Sequence, residues 1–80
     1  MKYIAGYNMC GYLPDSEPSE HDTFEDAKDS IIWTLENIFA EDAETDELAR
    51  EYYRLAKLVA LETDEFSIVH KHHCFFVTTE

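Results

Sequence analysis

In the middle of the chain apolar residues recur every three to four positions, which predicts two amphipathic helices. The first helix is expected to begin at Asp22, which forms a capping-box-like pair with Glu25, and to end near Ala40. The second is expected to begin at Thr45 and to end near Leu61. The predicted apolar stripes are Phe24, Ala27, Ile31, Leu35 and Ile38 on the first helix, with Ile32 and Phe39 at its edge, and Leu48, Tyr52, Leu55 and Val59 on the second.

The segments on either side of the helices have the shorter period of β-strands. Residues 2–8, 66–69 and 74–79 are predicted strands, and the turn HKHH joins the last two. Residues 9–21 carry prolines and turn-forming residues and are expected to form an ordered loop. The order β-α-α-β-β predicts an α+β fold, a three-stranded antiparallel sheet with a two-helix hairpin packed on one face. We expect residues 1–80 to form one domain, because 80 residues support only one core.

The charge of the chain is its most unusual property. It has 18 Asp and Glu residues against 6 Lys and Arg, for a formal net charge of −12. Nucleic-acid-binding proteins carry net positive charge, so nucleic acid is excluded as a direct ligand. A strongly negative protein instead favours cations, basic proteins or positively charged clefts as partners.

The N-terminal segment MKYIAGYN lacks the apolar run of a signal sequence, and no segment has the length of a membrane span. We therefore expect a cytoplasmic protein. The two cysteines, Cys10 and Cys74, are too few for a disulfide scaffold and are expected to be thiols. The oligomeric state is expected to be a monomer or a weak dimer.

The acidic segment EDAETDEL, residues 41–48, raises the question of a calcium site. An EF-hand loop that begins at Asp42 would place Glu44 and Asp46 correctly. Such a loop also needs glycine at its sixth position and glutamate at its twelfth, where this chain has Glu47 and Tyr53. The pattern therefore does not predict calcium binding, and no cofactor is expected.

A second candidate for metal chemistry lies near the C-terminus. His70, His72 and Cys74 occur at alternate positions, which on a continuous strand would place three zinc ligands on one face. The same residues also form the best place for the hairpin turn, and a turn would break that alternation. The alternative hypothesis from these residues is a small regulatory metal-binding protein.

No pattern predicts an enzyme. The chain has only two glycines, Gly6 and Gly11, so it lacks a glycine-rich phosphate loop. A catalytic carboxylate pair needs two groups in different environments, and nothing in the sequence marks any two acids in that way. We therefore expect no catalytic residues.

The acidic residues are not evenly spread. On the helical wheel Asp26, Asp29, Trp33 and Glu36 lie opposite the apolar stripe of the first helix, together with Asn37. A tryptophan among carboxylates is not typical of a plain solvated face. The predicted partner-binding residues are Asp26, Asp29, Trp33 and Glu36 on this helix and Glu41, Asp42, Glu44, Asp46 and Glu47 in the connector that follows.

The segments YIAGYNMCGYLPDSEP, FEDAKDSI and CFFVTT resemble small phage-encoded proteins with a Y-x-M-x-G-x-L-P-x-x-x-P opening. Proline is usual in that pattern where this chain has Cys10. Some small acidic phage proteins of this kind are anti-CRISPR proteins, and several of them block DNA binding by the type I surveillance complex (Cascade). The resemblance implies a phage or prophage origin, and with it a host CRISPR-Cas or similar host-defence complex as the partner. The resulting hypothesis is a non-enzymatic inhibitor whose carboxylates imitate DNA phosphates.

Overall fold

The computed structural model describes residues 2–9, 18–71 and 73–79. Its elements follow the chain as β1 (Tyr3–Met9), β2 (Ser19–His21), α1 (Phe24–Thr34), a π-helix (Leu35–Phe39), α2 (Asp46–Ala60), β3 (Phe66–His70) and β4 (His73–Thr79). The strands form one antiparallel sheet in the order β2-β1-β4-β3. The α+β class is confirmed.

The prediction of three strands is wrong, because the described part of the chain contains four. The additional strand, β2, lies within the predicted loop 9–21 and pairs with β1 through Tyr3↔His21 and Ala5↔Ser19. It has only three residues, and two of them are exposed, so it leaves no periodic signal in the sequence. Of the rest of that loop, residue 9 ends β1 and residues 10–17, with Cys10, lie outside the described residues.

The helix ends differ slightly from the prediction. α1 is capped by Thr23 rather than Asp22, and the Thr23 hydroxyl accepts a hydrogen bond of 3.1 Å from the backbone nitrogen of Asp26. Thr45 caps α2 as predicted and accepts a bond of 3.1 Å from the nitrogen of Leu48. A side-chain oxygen at this position satisfies an amide that has no partner within the helix.

The first helix is a regular α-helix only as far as Thr34. The backbone nitrogen of Ala40 donates to the oxygen of Leu35, five residues earlier, over 2.9 Å, and the intervening residues form the π-helix. This wider turn changes the direction of the side chains that follow it. Phe39, expected at the edge of the stripe, consequently packs against the rings of Tyr7 and Phe75 at 5.1 and 5.0 Å.

The core lies between the helices and one face of the sheet. Its buried apolar residues are Ala5, Ala27, Ile31, Leu35, Ala40, Tyr52, Ala56, Val59, Phe75 and Val77. On the opposite face Phe76 lies across Gly6, where a Cβ atom would come within 2.9 Å of the Phe76 ring. A side chain at this position would therefore displace the Phe76 ring. None of the helices in the described part of the chain is long and apolar enough to cross a membrane.

The hairpin between β3 and β4 is tighter than the predicted turn HKHH. His70 and His73 form the last pair of the ladder, so both belong to strands. Lys71 follows β3 with a φ of 55°, in the left-handed region that tight hairpin turns require. His72 lies outside the described residues.

Candidate protein-binding face

The outer side of α1 carries an exposed tryptophan among carboxylates. Trp33 is 57% exposed, and Asp26 and Asp29, which precede it on the same side, are exposed as well. Glu36 follows as a partly exposed residue in the π-helix. The Asn37 side-chain amide donates a hydrogen bond of 3.0 Å to the backbone carbonyl oxygen of Trp33, one turn earlier.

The connector between the helices continues this acidity. Its carboxylates, Glu41, Asp42, Glu44, Asp46 and Glu47, are all exposed. The backbone of the connector is held at both ends, since the nitrogen of Asp42 donates to the oxygen of Ile38 over 3.0 Å and Thr45 caps α2. We call the nine residues predicted to bind a partner, Asp26, Asp29, Trp33, Glu36, Glu41, Asp42, Glu44, Asp46 and Glu47, the acidic face.

The carboxylates of the acidic face form no ion pair with Lys or Arg in the described part of the chain. Within residues 2–9, 18–71 and 73–79, the ion pairs of Lys and Arg involve Asp22, Glu25 and Glu51, and none involves the acidic face. The Lys2 ammonium pairs with Asp22 and thereby lowers the pKa of that carboxyl group. Three of the six Lys and Arg residues, Lys2, Lys28 and Lys71, thus form ion pairs away from the acidic face.

Some acids of this face are explained by helix stability and others are not. Asp26, Asp46 and Glu47 lie in the first turns of helices, where negative charge is favourable. Glu36 and Glu41 lie towards the opposite end of the α1 and π-helix segment, where the helix dipole disfavours negative charge by about 0.3–1 kcal/mol. Residues that oppose the stability of their own element are candidates for a role in function.

Lys28 is a structural feature of the fold that was not predicted. It is buried in α1, and its Nζ donates hydrogen bonds of 3.2 Å to the carbonyl oxygens of Ala60 and Glu62. Its position between Ala27 and Ile31, beside the apolar stripe, is the sequence signal that could have revealed this.

A groove lies between the π-helix and the start of α2, with a volume of about 290 Å³. Its residues are Ile38, Phe39, Ala43, Leu48 and Tyr52, with Asp42 and Glu44 as acidic members. Burial, with a smaller effect from the Glu51 carboxylate, raises the pKa of the Tyr52 phenol. The π-helix that shapes this groove has no signature in the sequence pattern, so the groove was not predicted.

Two residues of the alternative metal site, His70 and Cys74, lie on opposite faces of the sheet. The His70 ring contacts the Tyr52 ring at 5.1 Å on the helix side, while the Cys74 sulfur lies 3.2 Å from the Ser67 hydroxyl on the other side. His72 is outside the described residues, so the complete set of three is not seen. No group of three His, Cys, Asp or Glu side chains suited to a metal ion occurs among the described residues.

The Nδ1 atom of His70 is buried and has no hydrogen-bond partner among the described residues. Its Nε2 lies 3.8 Å from a carboxylate oxygen of Glu51. His70 is therefore placed against α2, and its ring packs as part of the interior.

Comparison of the chain with protein families, with curated proteins and with solved structures finds no match. The resemblance to small phage proteins therefore stays a prediction.

Proposed function

We propose that this protein binds the basic, DNA-binding surface of another protein through its acidic face and so prevents DNA from binding there. The observation that carries the proposal is the exposed Trp33 among carboxylates that have no ion pair in the described chain. Tryptophan is prominent among the residues that contribute most to interface energy. Uncompensated carboxylates around it favour a positively charged partner.

The spacing of charge along α1 supports mimicry of nucleic acid. Residues three or four apart on a helix have Cβ atoms roughly 5–6 Å apart. Duplex DNA carries one charge per roughly 1.7 Å of axis over both strands, or about 3.4 Å along each strand. Asp26 and Asp29 have this spacing, and Glu36 follows on the same side two turns later, so the three carboxylates form a row of negative charge that is sparser than the phosphates of one strand.

A row of charge on a folded helix has a further advantage over a disordered acidic segment. Asp26 and Asp29 are held by a helix whose side opposite to them is anchored in the core through Ile31 and Leu35. Binding then requires little ordering of the backbone, so less of the interaction energy is lost on association. This favours tight binding by a small surface.

The proposed target is the type I CRISPR surveillance complex or a similar host-defence complex with a basic DNA channel. The resemblance of residues 3–18 to phage-encoded proteins supports this class of target. In this proposal the protein is a non-enzymatic inhibitor that acts in the cytoplasm of the host cell. It needs no cofactor, because occupation of the channel is sufficient to exclude DNA.

The test is a competition measurement with purified components. A type I surveillance complex is incubated with increasing amounts of the protein, and binding of a labelled target duplex is then measured by gel shift. We expect loss of DNA binding at a molar ratio near one inhibitor per site, and no direct binding of the protein to the same DNA. If the complex binds DNA equally well at saturating inhibitor, this target is wrong. A pull-down with the tagged protein from a host lysate then tests other basic DNA-binding complexes.

A further inference from the structure

The groove beside the connector is preformed. On one wall the π-helix is closed by the bond from Ala40 to Leu35, and on the other the Thr45 cap holds the first turn of α2. Phe39 lies beneath, with its ring 5.4 Å from that of Tyr52. A groove with both walls hydrogen-bonded and an aromatic base needs little rearrangement to accept a ligand.

The groove is large enough to accept one large side chain. Its volume of about 290 Å³ lies just below the roughly 300–1,000 Å³ of sites that hold whole drug-sized molecules. Its apolar lining comes from Ile38, Phe39, Ala43 and Leu48. An aliphatic or aromatic side chain matches such a lining.

The charge around the groove restricts the occupant further. Asp42 and Glu44 belong to it, both are exposed, and neither forms an ion pair in the part of the chain that the structure describes. An apolar side chain that enters here brings its neighbours close to these two carboxylates. Neighbouring Lys or Arg residues would be attracted, and neighbouring acids would be repelled.

We infer that this groove binds one large apolar side chain, such as leucine, from a segment of the partner in which Lys or Arg residues flank it. The inference rests on the proposed function and makes it more specific. The acidic face attracts the basic surface, and the groove selects a segment that also presents an apolar residue. Charge alone would attract any basic surface, so the groove supplies specificity.

The test uses two labelled nine-residue peptides of lysine and arginine, one with a central leucine and the other with a central serine. Binding to the full-length protein is measured by fluorescence anisotropy at low salt. We expect the leucine peptide to bind at least about ten-fold more tightly, since burial of one such side chain corresponds to that factor or more. The two peptides have the same charge, so the ratio of their affinities measures the groove alone.

Ala43→Phe, which places a ring in the groove, is expected to reduce the ratio to about one and leave the serine peptide unaffected. Ala60→Phe is the matched control at the exposed end of α2 and should keep the wild-type ratio. A ratio that persists in folded Ala43→Phe would overturn the inference. If that variant does not fold, methyl NMR of the wild type is the deciding measurement. Only the leucine peptide should shift the methyl resonances of Ile38 and Leu48. Equal shifts with both peptides would contradict binding in the groove.

The outcomes also separate this inference from the proposed function. Equal binding of both peptides would remove the groove as a binding site and leave the acidic face intact. Absence of binding by either peptide at low salt would overturn both, because the acidic face would then not attract basic segments at all.

Discussion

Lys28 in α1 donates a hydrogen bond of 3.2 Å to the carbonyl oxygen of Ala60, the last residue of α2. The same ammonium group lies 3.2 Å from the carbonyl oxygen of Glu62 and 5.5 Å from the centre of the Phe24 ring. The last carbonyl groups of a helix have no partner within it, and positive charge is favourable there. A cation from the neighbouring helix therefore joins the two helices, and the surface of the protein loses one positive charge.

Lys28→Met is expected to lower the free energy of unfolding by about 3 kcal/mol, because it removes two charge-assisted hydrogen bonds. Methionine retains the length of the side chain but leaves the carbonyl oxygens of Ala60 and Glu62 without their charged donor, and hydrogen bonds to charged groups contribute about 1.5–3 kcal/mol each. Urea denaturation measures the change. Lys57→Met, on the exposed side of α2, is the control and should change stability by less than about 0.5 kcal/mol. Equal effects of both substitutions would mean that Lys28 does not stabilise the helix pair.

Tyr52 predicts a specific loss of stability at high pH. Because burial raises the pKa of its phenol, the folded protein keeps this proton at a pH where the unfolded chain has lost it. The unfolded state then binds fewer protons, so the free energy of unfolding falls as the pH rises above about 10, the usual value for tyrosine. Tyr52→Phe should show a smaller decrease in Tm between about pH 9 and 11 than the wild type. Tyr53→Phe, at an exposed position, should follow the wild type, and identical curves for all three proteins would exclude this effect.

The sequence pattern predicts those parts of the fold that depend on local interactions. Thr45 begins α2 because a hydroxyl at that position satisfies an amide of the following turn, a requirement visible in four residues. Ile31 and Leu35 are buried because they share one side of an α-helix, which their spacing shows directly. The exposure of Trp33 follows from the same spacing.

The features that the pattern did not predict depend on contacts between distant segments or on a single change of helix geometry. β2 pairs Ser19 and His21 with β1 through the backbone, and its side chains show no alternation of buried and exposed positions. The π-helix moves Phe39 into the aromatic cluster, although the wheel of an ideal α-helix places it at the edge. The groove depends on this change of helix geometry, so the sequence pattern could not predict it.

The zinc content of the purified protein tests the alternative based on His70, His72 and Cys74. His70 and Cys74 lie on opposite faces of the sheet, so one ion cannot bind both without rearrangement of the hairpin. We expect no stoichiometric zinc by elemental analysis, and no loss of inhibition when Cys74 is replaced by alanine. One zinc per chain that disappears in Cys74→Ala would instead favour the regulatory metal-binding protein.

Reversal of charge on α1 tests whether the acidic face drives association. Replacement of Asp26, Asp29 and Glu36 by lysine should slow binding to the target complex and abolish competition with DNA, with the larger effect at low salt. Association rates at several salt concentrations measure this. Replacement of Glu20, Glu62 and Asp64 by lysine makes the same change in net charge elsewhere and should retain most of the competition. If both triple variants behave alike, net charge rather than this face determines binding.

Trp33 should contribute to binding and not to folding. Its side chain is 57% exposed, whereas Leu35, two residues later, is fully buried. Trp33→Ala is therefore expected to weaken partner binding by more than about 2 kcal/mol, or roughly 30-fold, while the free energy of unfolding changes by less than about 1 kcal/mol. Leu35→Ala should show the reverse pattern in stability and lose about 2–5 kcal/mol. Calorimetry measures partner binding, and urea denaturation of the same preparations measures stability.

Tyr53→Ala removes another exposed aromatic side chain and should bind as the wild type does. Should Trp33→Ala unfold the protein while the α1 charge reversal still inhibits fully, the outer side of α1 is not the binding surface.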